Sequence, residues 1–337
     1  NWYETLTGWF EEIDYCPSVS DACLFIHKKK NLFIFFHVDN LIVVGQTDTF
    51  ENLFLDRFPN STAHLPDTLL GMNLSIKRNS IELSQPGLIK KGLEMLELTE
   101  STDEDHAAFL KLNINYRSFM GMLNYLACRK CPDLEAAVSI FSQFNQQPGL
   151  SHWREVLHCW KYLKRTATLG LLLKPSPIKL IDQINFFTHA TWEENQETSV
   201  SRSRSLAFWK SCPLMLNSKK QRNITMSSTE SEMNALSDSD QENQWLCFII
   251  EELWKTKLEP TLFHIDNKGL LEKLKNFGSN SKTNHLYIKI KGLREKFKNN
   301  DIMVKLIPSN DILADSLAKA APLSSIRKLQ DSCLKVL

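Results

Sequence analysis

The chain has 337 residues, of which 42% are hydrophobic and 23% are charged, and its formal net charge is +1. This length accommodates two domains with cores of their own, and the near-neutral charge means that any basic surface for nucleic acid must be local. No apolar run approaches the length of a membrane span and no leader segment opens the chain, so we expect a protein without a membrane partner.

The eight cysteines are scattered along the chain. We interpret them as reduced thiols of an intracellular protein, with the cytoplasm and the nucleus both open. Cys128 and Cys131 form a CxxC pair in a helical stretch, but no second pair and no histidine cluster accompanies them. Because a structural zinc site needs about four ligands, we do not interpret this pair as one.

The first predicted elements are a helix over residues 1–15 and three strands over residues 22–27, 32–38 and 41–44. Short apolar runs separated by polar residues are typical of β-hairpins. Asp39 and Asn40 lie at the turn between the last two strands. Asp and Asn tolerate the positive φ angles of tight turns, so a plain hairpin turn is one interpretation of this pair.

The next stretch predicts a short helix over residues 48–58 and a hairpin over 69–77 and 81–84. Helices are predicted over 85–98, 115–144 and 152–166, and Pro132 divides the helix over 115–144 in two. The helix over 152–166 has an apolar face that contains Trp153 and Trp160, and it carries Lys161 and Lys164 beside that face. Such lysines can lie along a nucleic-acid backbone, although a basic helix face is more often simply solvated.

Lys174-Pro175-Ser176-Pro177 is the clearest linker, so we predict two domains, over residues 1–173 and 178–337. The predicted elements of the second domain are strands over 184–187 and 206–209, a third strand around residues 215 and 224–226, a helix over 229–254, a strand over 262–265, helices over 268–277 and 286–298, a strand over 303–307 and a helix over 312–320. This order predicts an α/β mixed sheet with helices.

Three acidic residues of the second domain lie where they can converge. Glu232 is in the first turn of the predicted helix 229–254, Asp266 follows the strand 262–265, and Asp315 is near the start of the last helix. Carboxylates in such places can bind a divalent metal ion, which needs several oxygen ligands. Taken alone, Glu232 is more simply explained as a charge that complements the positive end of its helix, with Ser228 or Thr229 as the N-cap.

Four segments, SSTESE, HIDNKG, SKTNHLYIK and VKLIPSNDILADSLAKAAP, resemble in order and spacing the ribonuclease H domain of Ty1/copia-type retrotransposon polyproteins. The hairpin around Asp39 resembles the polymerase motif of the same family, and the helices after residue 115 resemble its thumb or connection region. The resemblance implies a partial reverse transcriptase, with part of the palm, followed by a ribonuclease H-like mixed sheet. It also implies an RNA–DNA hybrid or a template–primer as the partner, Mg²⁺ or Mn²⁺ as the cofactor, and no small-molecule cofactor.

Two motifs depart from the family pattern. In the polymerase motif, Asp39 matches the first aspartate and Asn40 stands where the second would be. In the first strand of the ribonuclease H domain, the family has aspartate, alanine, aspartate and tryptophan, whereas this chain reads His189-Ala190-Thr191-Trp192. An imidazole cannot bridge two Mg²⁺ ions as a carboxylate does. We therefore expect a single weak metal site and impaired polymerisation and hydrolysis.

The remaining candidates lie around these motifs. His285 can help to protonate a leaving group or contact a phosphate, although a histidine at a helix start is more often a surface cap. Lys219, Lys220 and Arg222 form a basic stretch that can contact a hybrid backbone, and a solvated loop explains them nearly as well. Two functions stay open: a hybrid nuclease that uses the three acidic residues, and an inactive remnant that at most binds nucleic acid.

Overall fold

The computed structural model describes residues 2–37, 40–69, 72–89, 109–176, 181–195, 200–275, 284–314 and 323–336. The contacts between residues divide the chain into two units. The first unit comprises Asn1–Asp67 and Glu242–Leu258, and the second comprises Thr68–Gln241 and Glu259–Leu337. This division differs from the predicted ranges 1–173 and 178–337, and the predicted boundary stays a prediction.

The first unit contains a four-stranded antiparallel sheet and two helices near its N-terminus. Strands β1 to β4 span Tyr15–Pro17, Leu24–His27, Phe33–His37 and Asn40–Val44, and helices α1 and α2 span Trp2–Glu12 and Asp48–Arg57. Its core is aromatic, and Trp9 packs against Phe50 with ring centroids 5.7 Å apart. The hairpin of β3 and β4 is confirmed, but Asn40 pairs with His37 as the first residue of β4 rather than lying in the turn.

Among the described residues of the second unit, three helices pack around one apolar core. They are α3 at Tyr116–Arg129, α4 at Glu135–Phe141 and α5 at Leu150–Arg165. A 3₁₀ turn at Pro132–Leu134 separates α3 from α4, as the proline predicts. The apolar face predicted for α5 is buried, with Trp153 and Trp160 in the core, whereas Lys161 and Lys164 are exposed.

A second antiparallel sheet in this unit joins strands that are far apart in the sequence. Strands β5 to β8 span Thr68–Leu69, Met72–Lys77, Ser80–Ser84 and Leu169–Leu173, and β14 spans Leu334–Val336. Their order is β14-β8-β7-β6-β5, so strands from both sides of the predicted domain boundary lie in one sheet.

The third sheet is mixed, as the order of the predicted elements requires. Strands β9 to β13 span Gln183–Asn195, Val200–Trp209, Cys212–Lys220, Glu259–Ile265 and Ile302–Leu306. Their order is β11-β10-β9-β12-β13, in which β11, β10 and β9 are antiparallel and β9, β12 and β13 are parallel. Residues 224–226, predicted as part of the third strand, are not in a strand, and Thr225 bonds to the side chains of Trp192 and Ser201.

In the part of the chain that the structure describes, four further helices follow β11 in the sequence. They are α6 at Ser228–Trp254, α7 at Lys268–Lys275, α8 at Asn284–Lys298 and α9 at Leu323–Cys333. One face of the mixed sheet packs in a core formed by Leu206, Phe208, Ile312, Ala314, Leu329 and Cys333. Within the described ranges, no helix combines the length and the apolar character that crossing a membrane requires.

Candidate metal centre

Three side chains meet at the carboxyl end of β12. Phe187 on β9 pairs with His264 on the parallel strand β12, so His189 and Asp266, each two residues further on, lie side by side. The Nδ1 atom of His189 is 3.0 Å from Glu232 Oε1 and 3.6 Å from Asp266 Oδ1. Donor atoms of all three residues lie within 4.8 Å of one another.

The first turn of α6 places Glu232 at this point. The N-cap is Ser227 rather than the predicted Ser228 or Thr229, because Ser227 Oγ accepts a hydrogen bond of 3.3 Å from the Glu230 N–H. Glu230 in turn accepts a hydrogen bond of 2.9 Å from the Met226 N–H, which resembles a capping box shifted by one residue. Glu230 therefore holds the helix start, and Glu232 is left to face the sheet.

Glu232 is almost fully buried, with 3% of its surface exposed. Its Oε1 atom accepts a hydrogen bond of 2.9 Å from the Ala190 N–H, whereas Oε2 has no hydrogen-bond partner among the described atoms. Burial raises the pKa of this carboxyl group, although the His189 ring and the Ala190 N–H act in the opposite direction. A buried carboxylate with one free oxygen is costly unless a cation lies beside it.

The charges of the other two groups depend on each other. Burial alone would lower the pKa of His189, but hydrogen bonds to Asp266 and Glu232 and their charges raise it to about 9. Burial likewise disfavours the charge of Asp266, but His189 and the side chain of Ser309 hold the pKa of Asp266 below its usual value. The two carboxyl groups therefore favour the protonated form of the ring, which burial opposes.

The donor set does not fit a pair of Mg²⁺ ions. Mg²⁺ prefers six oxygen ligands in nearly octahedral geometry, and two ions that act together in hydrolysis lie about 3.5–4 Å apart. His189 offers a single nitrogen lone pair at the point where the family has a carboxylate that two ions can share. The described side chains at this centre are therefore one nitrogen ligand and two carboxylates.

The other predicted site residues do not join this group within the described part of the chain. Asp315 and Asp39 lie outside the described residues, and so does the side chain of His285, whose backbone belongs to α8. Asn40 is exposed at the start of β4. Exposed basic side chains occur at Lys219 and Lys220 on β11, at Arg222 beyond it, and at Lys161 and Lys164 on α5.

Two contacts around the centre were not anticipated from the sequence. Arg204 on β10 is 1% exposed and donates a hydrogen bond to Thr191 Oγ1, the residue that stands where the family has its second first-strand acid. Ser309, in the 3₁₀ turn Ser309–Asp311, bonds to Asp266. Arginine and serine alternate along β10. This pattern could have indicated a polar contact of Arg204, because a buried arginine in a strand requires polar partners.

Comparison with known proteins finds no matching family model. The retrovirus-related Pol polyprotein from transposon RE1 of Arabidopsis thaliana is 27% identical over 344 aligned positions, which cover 96% of this chain and 23% of that protein. The chain thus spans about a quarter of the length of this relative. The secreted RxLR effector protein 161 of Plasmopara viticola is 36% identical over 135 positions, or 40% of this chain and 92% of the effector.

Among solved structures, LC11-RNase H1, isolated from compost by a metagenomic approach, matches 44% of this chain and 99% of its own chain. The sequence identity is 14% and the TM-score is 0.32.

Proposed function

Because the chain is a distant homologue of the Ty1/copia-type retrotransposon Pol polyproteins, we propose that it is a reverse transcriptase/ribonuclease H segment that binds RNA–DNA hybrid but cleaves it poorly. The proposed segment has a partial reverse transcriptase over residues 1–173 and a ribonuclease H-like domain over residues 178–337. The alternative is a nuclease that works through Glu232, Asp266 and Asp315.

The observation that carries the proposal is the contact of 3.0 Å between His189 Nδ1 and Glu232 Oε1. In metal-assisted hydrolysis, one ion activates water and a second stabilises the leaving oxygen, and a shared carboxylate holds both ions. The ring nitrogen has one lone pair and cannot be shared, which supports weak or absent hydrolysis although Glu232 and Asp266 are retained. In the polymerase motif, the amide of Asn40 is likewise a weaker ligand than a carboxylate.

Cleavage of a labelled RNA strand in a hybrid, by the purified full-length chain in Mg²⁺ and in Mn²⁺, tests this proposal. We expect the wild type and Asp266→Asn to show the same background rate, since the second ion is missing in both. A rate that falls in Asp266→Asn would instead establish the nuclease alternative. In His189→Asp, which restores a carboxylate ligand, we expect metal-dependent cleavage to rise above that background.

Binding of the hybrid is tested separately, without divalent metal. Lys219, Lys220 and Arg222 are exposed, and ion pairs between such residues and phosphates make affinity fall with salt. We expect Ala at all three positions to weaken hybrid binding and to reduce the slope of log affinity against log salt by about 0.9 for each phosphate that is no longer neutralised.

The matched control is Ala at Lys28, Lys29 and Lys30, three exposed lysines of the first unit, which removes the same charge. Equal weakening in both triple variants would mean that only the net charge matters, and the basic stretch would not be a binding surface.

A further inference from the structure

We propose that His189, Glu232 and Asp266 form a site for one divalent cation that accepts a nitrogen ligand, an ion of the Mn²⁺ to Zn²⁺ series, in place of a magnesium pair. These are the same three side chains at the carboxyl end of β12, and equilibrium binding of an ion there does not require that any hybrid is cleaved.

The distances between the donor atoms fit a single ion. Ligands that bind one ion at about 2.0–2.2 Å, with angles near 90–110° at the metal, lie roughly 3.0–3.5 Å apart. His189 Nδ1 is 3.0 Å from Glu232 Oε1 and 3.6 Å from Asp266 Oδ1. Donor atoms of all three residues lie within 4.8 Å of one another, so small side-chain movements would bring them to one ion.

The burial of Glu232 is the second, independent indication of a ligand. The residue is 3% exposed, and its Oε2 atom has no hydrogen-bond partner in the described part of the chain. The Ala190 N–H holds the other oxygen in place at 2.9 Å, so the carboxylate has a defined orientation before an ion binds. A cation bound to this carboxylate would offset the cost of burying its unpartnered oxygen.

The ligand chemistry selects the class of ion. One imidazole with two carboxylates suits Zn²⁺, Co²⁺ and Mn²⁺, whereas Mg²⁺ prefers oxygen ligands alone. For a fixed set of nitrogen and oxygen ligands, affinity rises from Mn²⁺ through Co²⁺ and stays high at Zn²⁺. The rival explanation is an internal ion pair, in which the His189 ring itself supplies the positive charge and no metal binds.

Titration of the full-length, reduced chain with Co²⁺, Zn²⁺ and Mg²⁺ decides between them, by calorimetry and by the visible absorption of Co²⁺. We expect one ion per chain at this site, a Co²⁺ spectrum of nitrogen and oxygen ligation rather than thiolate ligation, and Zn²⁺ affinity at least about tenfold above that for Mg²⁺. Absence of such a Co²⁺ spectrum would overturn the proposal in favour of the internal ion pair, and equal affinity for Mg²⁺ would overturn it because the site would not select an ion that accepts nitrogen.

Variants assign the ion to these residues. His189→Ala should weaken Co²⁺ binding by at least about 100-fold, whereas His158→Ala, which removes an exposed histidine on α5, should not change it. His189→Asp should lower the ratio of Zn²⁺ to Mg²⁺ affinity, and it serves as the decisive variant if His189→Ala does not fold. Unchanged Co²⁺ binding in both His189 variants would exclude this site.

The two proposals fail separately, because metal binding is measured without nucleic acid and hybrid binding is measured in a chelator.

Discussion

Glu135 shows at the scale of one residue how burial and charge oppose each other in this protein. It lies in the first turn of α4 with 5% of its surface exposed, and the Cys128 thiol donates to its Oε2 atom over 3.8 Å. Burial raises the pKa of Glu135 to about 7, although the Cys128 contact and the positive charge of Arg202 act in the opposite direction. No feature of the sequence marked this residue, because its neighbours on β10 are remote in the chain.

The raised pKa of Glu135 predicts a pH-dependent stability. In the unfolded chain this group loses its proton near its ordinary value of 4.5, whereas in the folded chain it keeps the proton to about pH 7. The folded state therefore binds more protons between these values, and the free energy of unfolding falls as the pH rises through this window.

Glu135→Gln should remove this contribution and should be more stable than the wild type at pH 8, by at most about 3 kcal/mol. Denaturant unfolding at pH 5 and pH 8 measures the difference, with Glu155→Gln, an exposed acid on α5, as the control. The same difference between wild type and Glu135→Gln at both pH values would contradict the prediction.

At the scale of the element, the start of α6 determines where Glu232 lies. Ser227 caps the helix and Glu230 bonds back to Met226, so the first turn is held by two side chains. The sequence predicted a helix after the serine-rich segment correctly, but it placed the cap one or two residues late. Several adjacent hydroxyl residues satisfy the preference for an N-cap equally, so the sequence alone does not select Ser227.

Ser227→Ala should lower the free energy of unfolding by about 0.5–2 kcal/mol, because the Glu230 N–H loses its side-chain acceptor and keeps only the Ser227 carbonyl, 3.1 Å away. Ser228→Ala is the matched control, since Ser228 is exposed and its backbone carbonyl, not its hydroxyl, accepts the bond from Ser231. Ser227→Asp keeps an acceptor at the cap and should retain most of the stability. Chemical denaturation of the three variants measures this order, and an equal loss in both alanine variants would argue against Ser227 as the cap.

At the scale of the whole molecule, local patterns predicted the elements better than their partners. The strands β9, β10, β12 and β13 and the buried face of α5 follow from apolar periodicity, which depends on adjacent residues alone. The convergence of Glu232 and Asp266 was expected from their places at a helix start and a strand end, whereas His189 was expected there only through the family resemblance. The pairing of β8 with β14 was not expected, because the two strands lie far apart in the sequence and no local signal encodes such a pairing.

The pairing of β8 with β14 joins the C-terminal strand to a strand that precedes the predicted linker. In it, Leu334 pairs with Leu171, which also packs against the core that contains Leu329 and Cys333. A fragment over residues 178–337 lacks β8, so it exposes the edge of β14 and part of that core. We expect its free energy of unfolding to be about 1–3 kcal/mol lower than that of a fragment over residues 166–337. We also expect both fragments to be less stable than the full chain. Equal unfolding midpoints for the two fragments would mean that β8 contributes nothing to the C-terminal core, and residues 178–337 would then fold independently as predicted from the linker.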